Sequence, residues 1–200
     1  MEAFRAYLDC SIDDRPMRYF AKIADGLDVA PALAQLDVHP GLWGQKPDRT
    51  AIPDSPHRQT TDIWLRFRPE HELTSREKYG EPHFATFWPA WYALPGLHPL
   101  VFDIMARMQA VYLGGILLTR IPTGCEVLPH VDTGWHPTFN NTKAYVILKA
   151  NPDCLNHCLD ETVVMQPGEA WLFNNTVTHS VQNRGDDERI AMVITMRVER

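Results

Sequence analysis

The sequence predicts a mainly β protein with flanking helices, an α+β chain whose helices come first and whose β-core follows. Three observations carry that expectation. From Tyr112 onward the chain breaks into seven short β-like runs, YLGGILLTRI, EVLPHVD, KAYVILK, ETVVMQ, EAWLFN, VTHSVQN and RIAMVITMR, a density that fits a sandwich or barrel. Turn residues separate them, among them Gly124, Gly134, Pro152, Gly168 and Gly185. At 200 residues and 44% hydrophobic, the chain can bury roughly 70% of its unfolded surface without disulfide or metal staples.

Taken in order, Arg15 to Gln35 places Met17, Phe20, Ile23, Ala24 and Leu27 at roughly helical spacing, punctuated by Gly26 and Pro31, and predicts one or two short helices. Residues 37–61 carry Pro40, Gly41, Gly44, Pro47, Pro53 and Pro56. A broken, polar stretch longer than about 12–15 residues reads as a lid-like loop. DIWLRF then reads as a strand, with Ile63, Leu65 and Phe67 on one face and Asp62, Trp64 and Arg66 on the other. After a Trp-rich connection, Pro99 to Tyr112 predicts an amphipathic helix that turns Phe102, Met105 and Met108 inward. No repeat or linker divides the chain. Residues 1–200 therefore read as a single domain, helical or irregular over 1–111 and β-core over 112–198.

Charge and cysteine usage narrow the function classes. With 19 Lys+Arg against 25 Asp+Glu the net charge is −6, which opposes a surface built to track phosphate backbones. No stretch approaches the roughly 18 apolar residues of a membrane helix. The first residues lack the basic and apolar regions of a signal peptide, so the four cysteines read as reduced thiols of a cytoplasmic protein. Cys154, His157 and Cys158 in CLNHC have no second pair at zinc-finger spacing and read as part of a hairpin turn.

The chemistry concentrates in the β-core. In EVLPHVD, His130 and Asp132 are two residues apart, and an extended backbone points both to the same side. Two histidines and a carboxylate on one face of an ion form the facial triad of non-haem Fe(II) oxygenases. His179 in VTHSVQN, on a separate short run after Asn174-Asn175, is the candidate third ligand. RIAMVITMR divides into Arg189, Ala191, Val193 and Thr195 on one face and Ile190, Met192, Ile194 and Met196 on the other. The bulky face suits packing against helices. The smaller face leaves room for a ligand, with the planar donor fork of Arg189 suited to a carboxylate. The alternative for Arg189 is a pairing with Asp186 or Asp187 in the preceding turn.

These blocks, PTGCEVLPHVD, PGEAWLFNNTVTHSVQN and Arg189, resemble in their order the 2-oxoglutarate/Fe(II)-dependent dioxygenases, and within them the aspartyl/asparaginyl β-hydroxylase-like branch. The resemblance covers about residues 112–198. It implies a double-stranded β-helix, a cupin-like jelly-roll core. It also implies that His130, Asp132 and His179 hold Fe(II) and that Arg189 binds the distal carboxylate of 2-oxoglutarate. Thr119 and Lys143 fall where the branch places a hydroxyl residue and an Arg, and Tyr145 where it often has His, so all three are candidate cosubstrate contacts. Animal members of the branch lack the acidic ligand, whereas Asp132 is present here.

The implied reaction consumes O2 and 2-oxoglutarate, releases succinate and CO2, and hydroxylates a substrate. With no helical-repeat module for gripping a folded protein, the expected substrate is a small amino acid, a derivative or a peptide residue, with Trp64 and Arg66 as candidate substrate contacts and no membrane or nucleic-acid partner. The other histidines, including His57, His83 and His136, are expected to be solvated or locally bonded unless the 37–61 loop closes one over the site, and contacts such as Ser180 or Gln182 could tune the ligands. The alternative is a non-catalytic or isomerase-type cupin-like protein that binds a metal or small molecule, a reading that gives Arg189 no reason for its place.

Overall fold

The computed structural model describes residues 18–47 and 49–199. Among them are eleven strands: β1 (Phe20–Ala24), β2 (Thr61–Phe67), β3 (Thr86–Phe87), β4 (Tyr112–Ile121), β5 (Glu126–His130), β6 (Thr142–Lys149), β7 (Cys154–Cys158), β8 (Glu161–Val164), β9 (Ala170–Phe173), β10 (His179–Asn183) and β11 (Arg189–Arg197). The helices are α1 (Ala30–Val38), α2 (Pro89–Ala93), α3 (His98–Met108) and α4 (Trp135–Phe139). The strands form two antiparallel sheets, a seven-stranded one in the order β1-β9-β6-β11-β4-β2-β3 and a four-stranded one in the order β5-β10-β7-β8. This is a jelly-roll core with α1, α2 and α3 on one side. No helix of the described residues is long and apolar enough to cross a membrane.

The alternation along β11 sets the layers. Ile190, Met192, Ile194 and Met196 join Ile116, Leu118, Ala144, Val146 and Leu148 in a core that packs against Ala32 and Leu36 of α1 and Leu100, Val101, Ile104 and Met108 of α3. Burying each such aliphatic side chain is worth about 1.5–3 kcal/mol, so this core fixes the larger sheet against the helices. Arg189, Val193 and Thr195 point the other way, into a cavity between the two sheets.

Several sequence expectations are corrected. Phe20–Ala24 is a strand, not part of a helix, and pairs Phe20 with Phe173 and Ala21 with Leu172 of β9. The open edge of β9 supplies a ladder of hydrogen bonds, and that tertiary pairing overrides a weak helical spacing. The helix starts only at Ala30, with Pro31 in its first turn. Arg15 to Met17 lie outside the described residues. The helical or irregular part expected over 1–111 thus supplies β1 to one edge of the larger sheet and β2 and β3 to the other.

CLNHC is the strand β7, which buries Cys154, Asn156 and Cys158 and pairs with both β10 and β8. The turn follows it. In α3 the buried stripe runs through Leu100, Val101, Ile104 and Met108, and Phe102 is 52% exposed, because residues four apart share a helix face. In β2 the pairing register shifts between Trp64 and Arg66. The extra residue turns Phe67 onto the Trp64 side, with Trp88, instead of the Ile63 and Leu65 side.

Candidate active site

β10 runs antiparallel to β5 with His179 directly opposite His130, and the two rings lie 4.3 Å apart. Each imidazole uses the same local device. His130 Nδ1–H donates to the Leu128 carbonyl at 2.8 Å, and His179 Nδ1–H to the Val177 carbonyl at 2.9 Å. That fixes both tautomers with the lone pair on Nε2. Both Nε2 atoms are buried and have no hydrogen-bond partner.

Asp132, just past β5, brings Oδ1 to 3.5 Å from His130 Nε2 and 4.0 Å from His179 Nε2, and the three donor atoms lie within 4.8 Å of one another. Three lone-pair donors converging without a hydrogen between them repel unless a cation lies among them, and bonds of about 2 Å to one ion span these distances. The donor set, two imidazoles and a carboxylate, fits a divalent transition metal with positions left open.

The second Asp132 oxygen accepts from Lys143 Nζ at 2.6 Å and from Asn175 Nδ2 at 2.9 Å, while the Asp132 backbone N–H donates to the Asn175 carbonyl. Burial raises the Asp132 pKa, but the Lys143 ammonium, the adjacent His130 ring and the Asn175 amide outweigh it and hold the carboxyl well below the usual carboxylate range. Burial, together with the Lys143 charge, pushes His179 down to about 4, so at neutral pH it is the uncharged ring a metal ligand must be.

A cavity of about 330 Å3 is lined by His130 and Asp132 of this triad and by Arg189. Arg189 is only 2% exposed. Its Nη2 donates to Asn156 Oδ1 at 3.1 Å and its guanidinium lies over the Tyr145 ring, yet Nε has no partner. The pairing with Asp186 or Asp187 left open by the sequence does not form; Asp187 is held by Lys149 at 2.9 Å. Burying an ion costs several kcal/mol unless an opposite charge compensates, so the position asks for an anionic ligand.

The other candidates divide. Tyr145 and Lys143 line the cavity, Tyr145 stacked on Phe173 with its pKa raised by burial to about 12, and Lys143 committed to Asp132. Thr119 also lines it, but its hydroxyl donates to Asp62 Oδ1 at 3.0 Å and accepts from Arg49 Nη2 at 3.1 Å. Trp64 faces the cavity. Arg66, expected beside it, is turned away by the shifted register of β2, donates to the Leu113 carbonyl and lies over Phe87.

Four lining residues escaped the sequence reading: Arg49, His57, His136 and Asn175. Arg49 and His57 come from the 37–61 stretch, whose Pro56 also lines the cavity and which is tied to β5 by Leu128 N–H donating to the Pro56 carbonyl and Glu126 N–H to Gln59 Oε1. His57, expected to be solvated or locally bonded unless the loop closed it over the site, is half-buried with its ring 4.9 Å from that of His130, and burial and the Arg49 charge push its pKa well down. His136, likewise expected to be solvated or locally bonded, packs on Phe67 at 5.4 Å and His83 at 5.8 Å, and burial lowers it to about 4. Gln182 donates to Glu126, and the contacts that tune Asp132 come from Lys143 and Asn175 instead. Asn175 had a signal, its place beside Asn174 in the turn before His179. Arg49 had none beyond an acidic Asp62 on a strand that turns out buried.

The profile of the Aspartyl/Asparaginyl beta-hydroxylase family matches residues 91–199. No curated protein sequence matches the chain. Similar solved structures include an oxidoreductase of the 2OG-Fe(II) oxygenase family from Burkholderia pseudomallei, at 13% identity over 88% of this chain and 83% of that one with a TM-score of 0.54. The viral collagen prolyl hydroxylase vCPH from Paramecium Bursaria Chlorella virus-1, in its 2OG complex, is 12% identical over 91% and 97% of the two chains at a TM-score of 0.53. A Pseudomonas putida prolyl-4-hydroxylase is 15% identical over the whole of both chains at 0.50. These likenesses fix the fold. The family match covers more than half of the chain and includes every residue of the triad and Arg189. The isomerase and binding-protein alternatives fall away with it: the chain belongs to the aspartyl/asparaginyl β-hydroxylase family and is a 2-oxoglutarate-dependent hydroxylase.

Proposed function

We propose that this enzyme, as a single dioxygenase domain over residues 1–200, uses Fe(II), 2-oxoglutarate and O2 to hydroxylate a small amino acid, a derivative or a peptide residue, with release of succinate and CO2. One observation carries the reading: a single cavity is lined by His130 and Asp132, on which the His179 lone pair converges, and by Arg189, a buried guanidinium without a carboxylate partner. The metal and cosubstrate, when bound, supply the oxidative chemistry.

The residues of the chain supply binding, orientation and exclusion of water. His130, Asp132 and His179 would hold the metal, with Lys143 and Asn175 keeping Asp132 ionised and oriented. The Arg189 fork would take the distal carboxylate of 2-oxoglutarate, with Tyr145 beneath it. Trp64, Phe67 and His136 form an aromatic wall that would receive the substrate, and the 37–61 loop, which contributes Arg49, Pro56 and His57 to the lining, would shield the cavity from water. Prolyl hydroxylases among the similar structures favour a peptide or small-molecule substrate. The free thiols of Cys125, Cys154 and Cys158 suit a reducing compartment such as the cytoplasm.

Anaerobic addition of Fe(II) and then 2-oxoglutarate tests the reading without a known substrate. A visible charge-transfer band that requires both components, and that His179→Ala abolishes, is the expected result; no band in the unaltered protein overturns it. Screening amino acids, short peptides and nucleosides for stimulated succinate release then identifies the substrate class, and stimulation by nucleosides alone overturns the amino-acid assignment.

A further inference from the structure

We propose that His57 is a further cosubstrate-binding residue, whose Nδ1–H donates to the metal-proximal carboxylate of 2-oxoglutarate from the loop that precedes β2. The inference rests on the 2-oxoglutarate reading above. It begins with Arg49, whose Nε and Nη2 bond Asp62 Oδ2 and Oδ1, each at 2.9 Å, and whose Nη2 also reaches Thr119 Oγ1 at 3.1 Å. Asp62 is buried, so this fork is locked in place.

The remaining guanidinium nitrogen, Nη1, lies 3.3 Å from His57 Nε2. A guanidinium has donors and no acceptor, so the imidazole nitrogen must accept. The ring is therefore the neutral tautomer with its hydrogen on Nδ1. That Nδ1 is buried and has no partner. A buried donor left unsatisfied costs free energy, and the group that satisfies it here is an acceptor entering the cavity that His57 lines.

Position selects the acceptor. The His57 ring packs edge-on against His130, a triad member, at 4.9 Å, and so stands at the triad end of the cavity. With the distal carboxylate taken by Arg189, the anionic oxygen presented at the triad end is that of the other carboxylate. Asp62, Arg49 and His57 thus fix a ring hydrogen toward ligand in the way the Leu128 and Val177 carbonyls fix ring lone pairs toward metal. The cosubstrate is gripped from the loop before β2 as well as from the sheet.

The experiment titrates 2-oxoglutarate into the Fe(II)-loaded protein without oxygen, comparing the unaltered chain with His57→Leu, His57→Phe and His57→Asn. Leu and Phe remove the donor, and Phe keeps a ring against His130. Asn places an amide nitrogen where Nδ1 stands. Loss of a hydrogen bond to a charged group predicts about 10- to 100-fold weaker 2-oxoglutarate binding for Leu and Phe, with Asn restoring affinity to within about threefold. Fe(II) affinity, measured by competition with a chromophoric chelator, should be unchanged throughout. Unaltered 2-oxoglutarate affinity in the Leu and Phe variants overturns the proposal, as does an Asn variant as weak as Leu, which would make the effect one of packing. Failure of the unaltered Fe(II)-loaded protein to bind 2-oxoglutarate overturns the cosubstrate reading itself, and this inference with it.

Discussion

His179 stands opposite His130 in the register of β10 and β5, and each ring bonds the carbonyl two residues before it, so that two bare Nε2 lone pairs meet beside Asp132 Oδ1. Neither Nε2 contributes a hydrogen bond to the fold. The pair is an arrangement for a ligand.

Replacing either histidine with Ala should therefore abolish turnover and weaken metal binding by more than about 100-fold, beyond the 10–100-fold typical of residues that only support ligands. Metal content and chelator competition, with circular dichroism as the fold control, check this. The protein must first be stripped of metal, because Co(II), Ni(II) and Zn(II) match or exceed Fe(II) at nitrogen and oxygen sites. Undiminished affinity in both variants would rule out the triad.

Arg189→Ala should weaken 2-oxoglutarate binding by about 2–5 kcal/mol and leave iron binding intact. Lys at the same position should not restore it, since a point charge does not reproduce the planar fork. Because the guanidinium is buried without a carboxylate, the ligand-free Ala variant should melt no lower than the parent while losing the stabilisation that 2-oxoglutarate confers. A calorimetric titration showing unchanged cosubstrate affinity would remove Arg189 from its role.

Lys143 contacts the carboxylate of the candidate triad directly, at 2.6 Å from Asp132 Oδ2. Lys143→Met should cost about 10- to 100-fold in metal affinity by releasing the orientation and charge of Asp132, with Lys143→Arg recovering most of it. If Lys143 served the cosubstrate alone, the Met variant would bind Fe(II) normally and fail only in the 2-oxoglutarate titration. The two titrations separate the roles.

His136 gives the metal-free protein a pH dependence of known sign. Burial, with the His83 and Lys143 charges, lowers its pKa to about 4 from an unfolded value near 6.5, so between those values the unfolded chain binds more protons. The stability held above pH 6.5 is lost as the pH falls toward 4, by up to about 3 kcal/mol from this group. His136→Phe, which keeps a ring against Phe67 and His83, should lose less by that amount when urea unfolding at pH 7 and pH 4.5 is compared. Parallel losses in the two proteins would contradict the assignment.

Local pattern determined a good part of this protein. Alternation in RIAMVITMR separated the helix-packing residues from Arg189, Val193 and Thr195, because strand geometry repeats every two residues whatever the rest of the chain does, and the short spacing of His130 and Asp132 kept two donors together although Asp132 falls just past the end of β5. Ordered blocks around His130, His179 and Arg189 carried the family. Tertiary structure alone decided what depended on partners distant in sequence. Phe20–Ala24 became a strand because β9 offered an open edge, and Phe67 joined Trp64 because β2 is bulged where it meets β4. Lys143 reached Asp132, and Arg49 found Asp62 and turned His57 toward the cavity, through contacts between separate elements. A charged or polar side chain takes its role from whichever partner the fold buries beside it, and that pairing has no periodicity for a sequence to display.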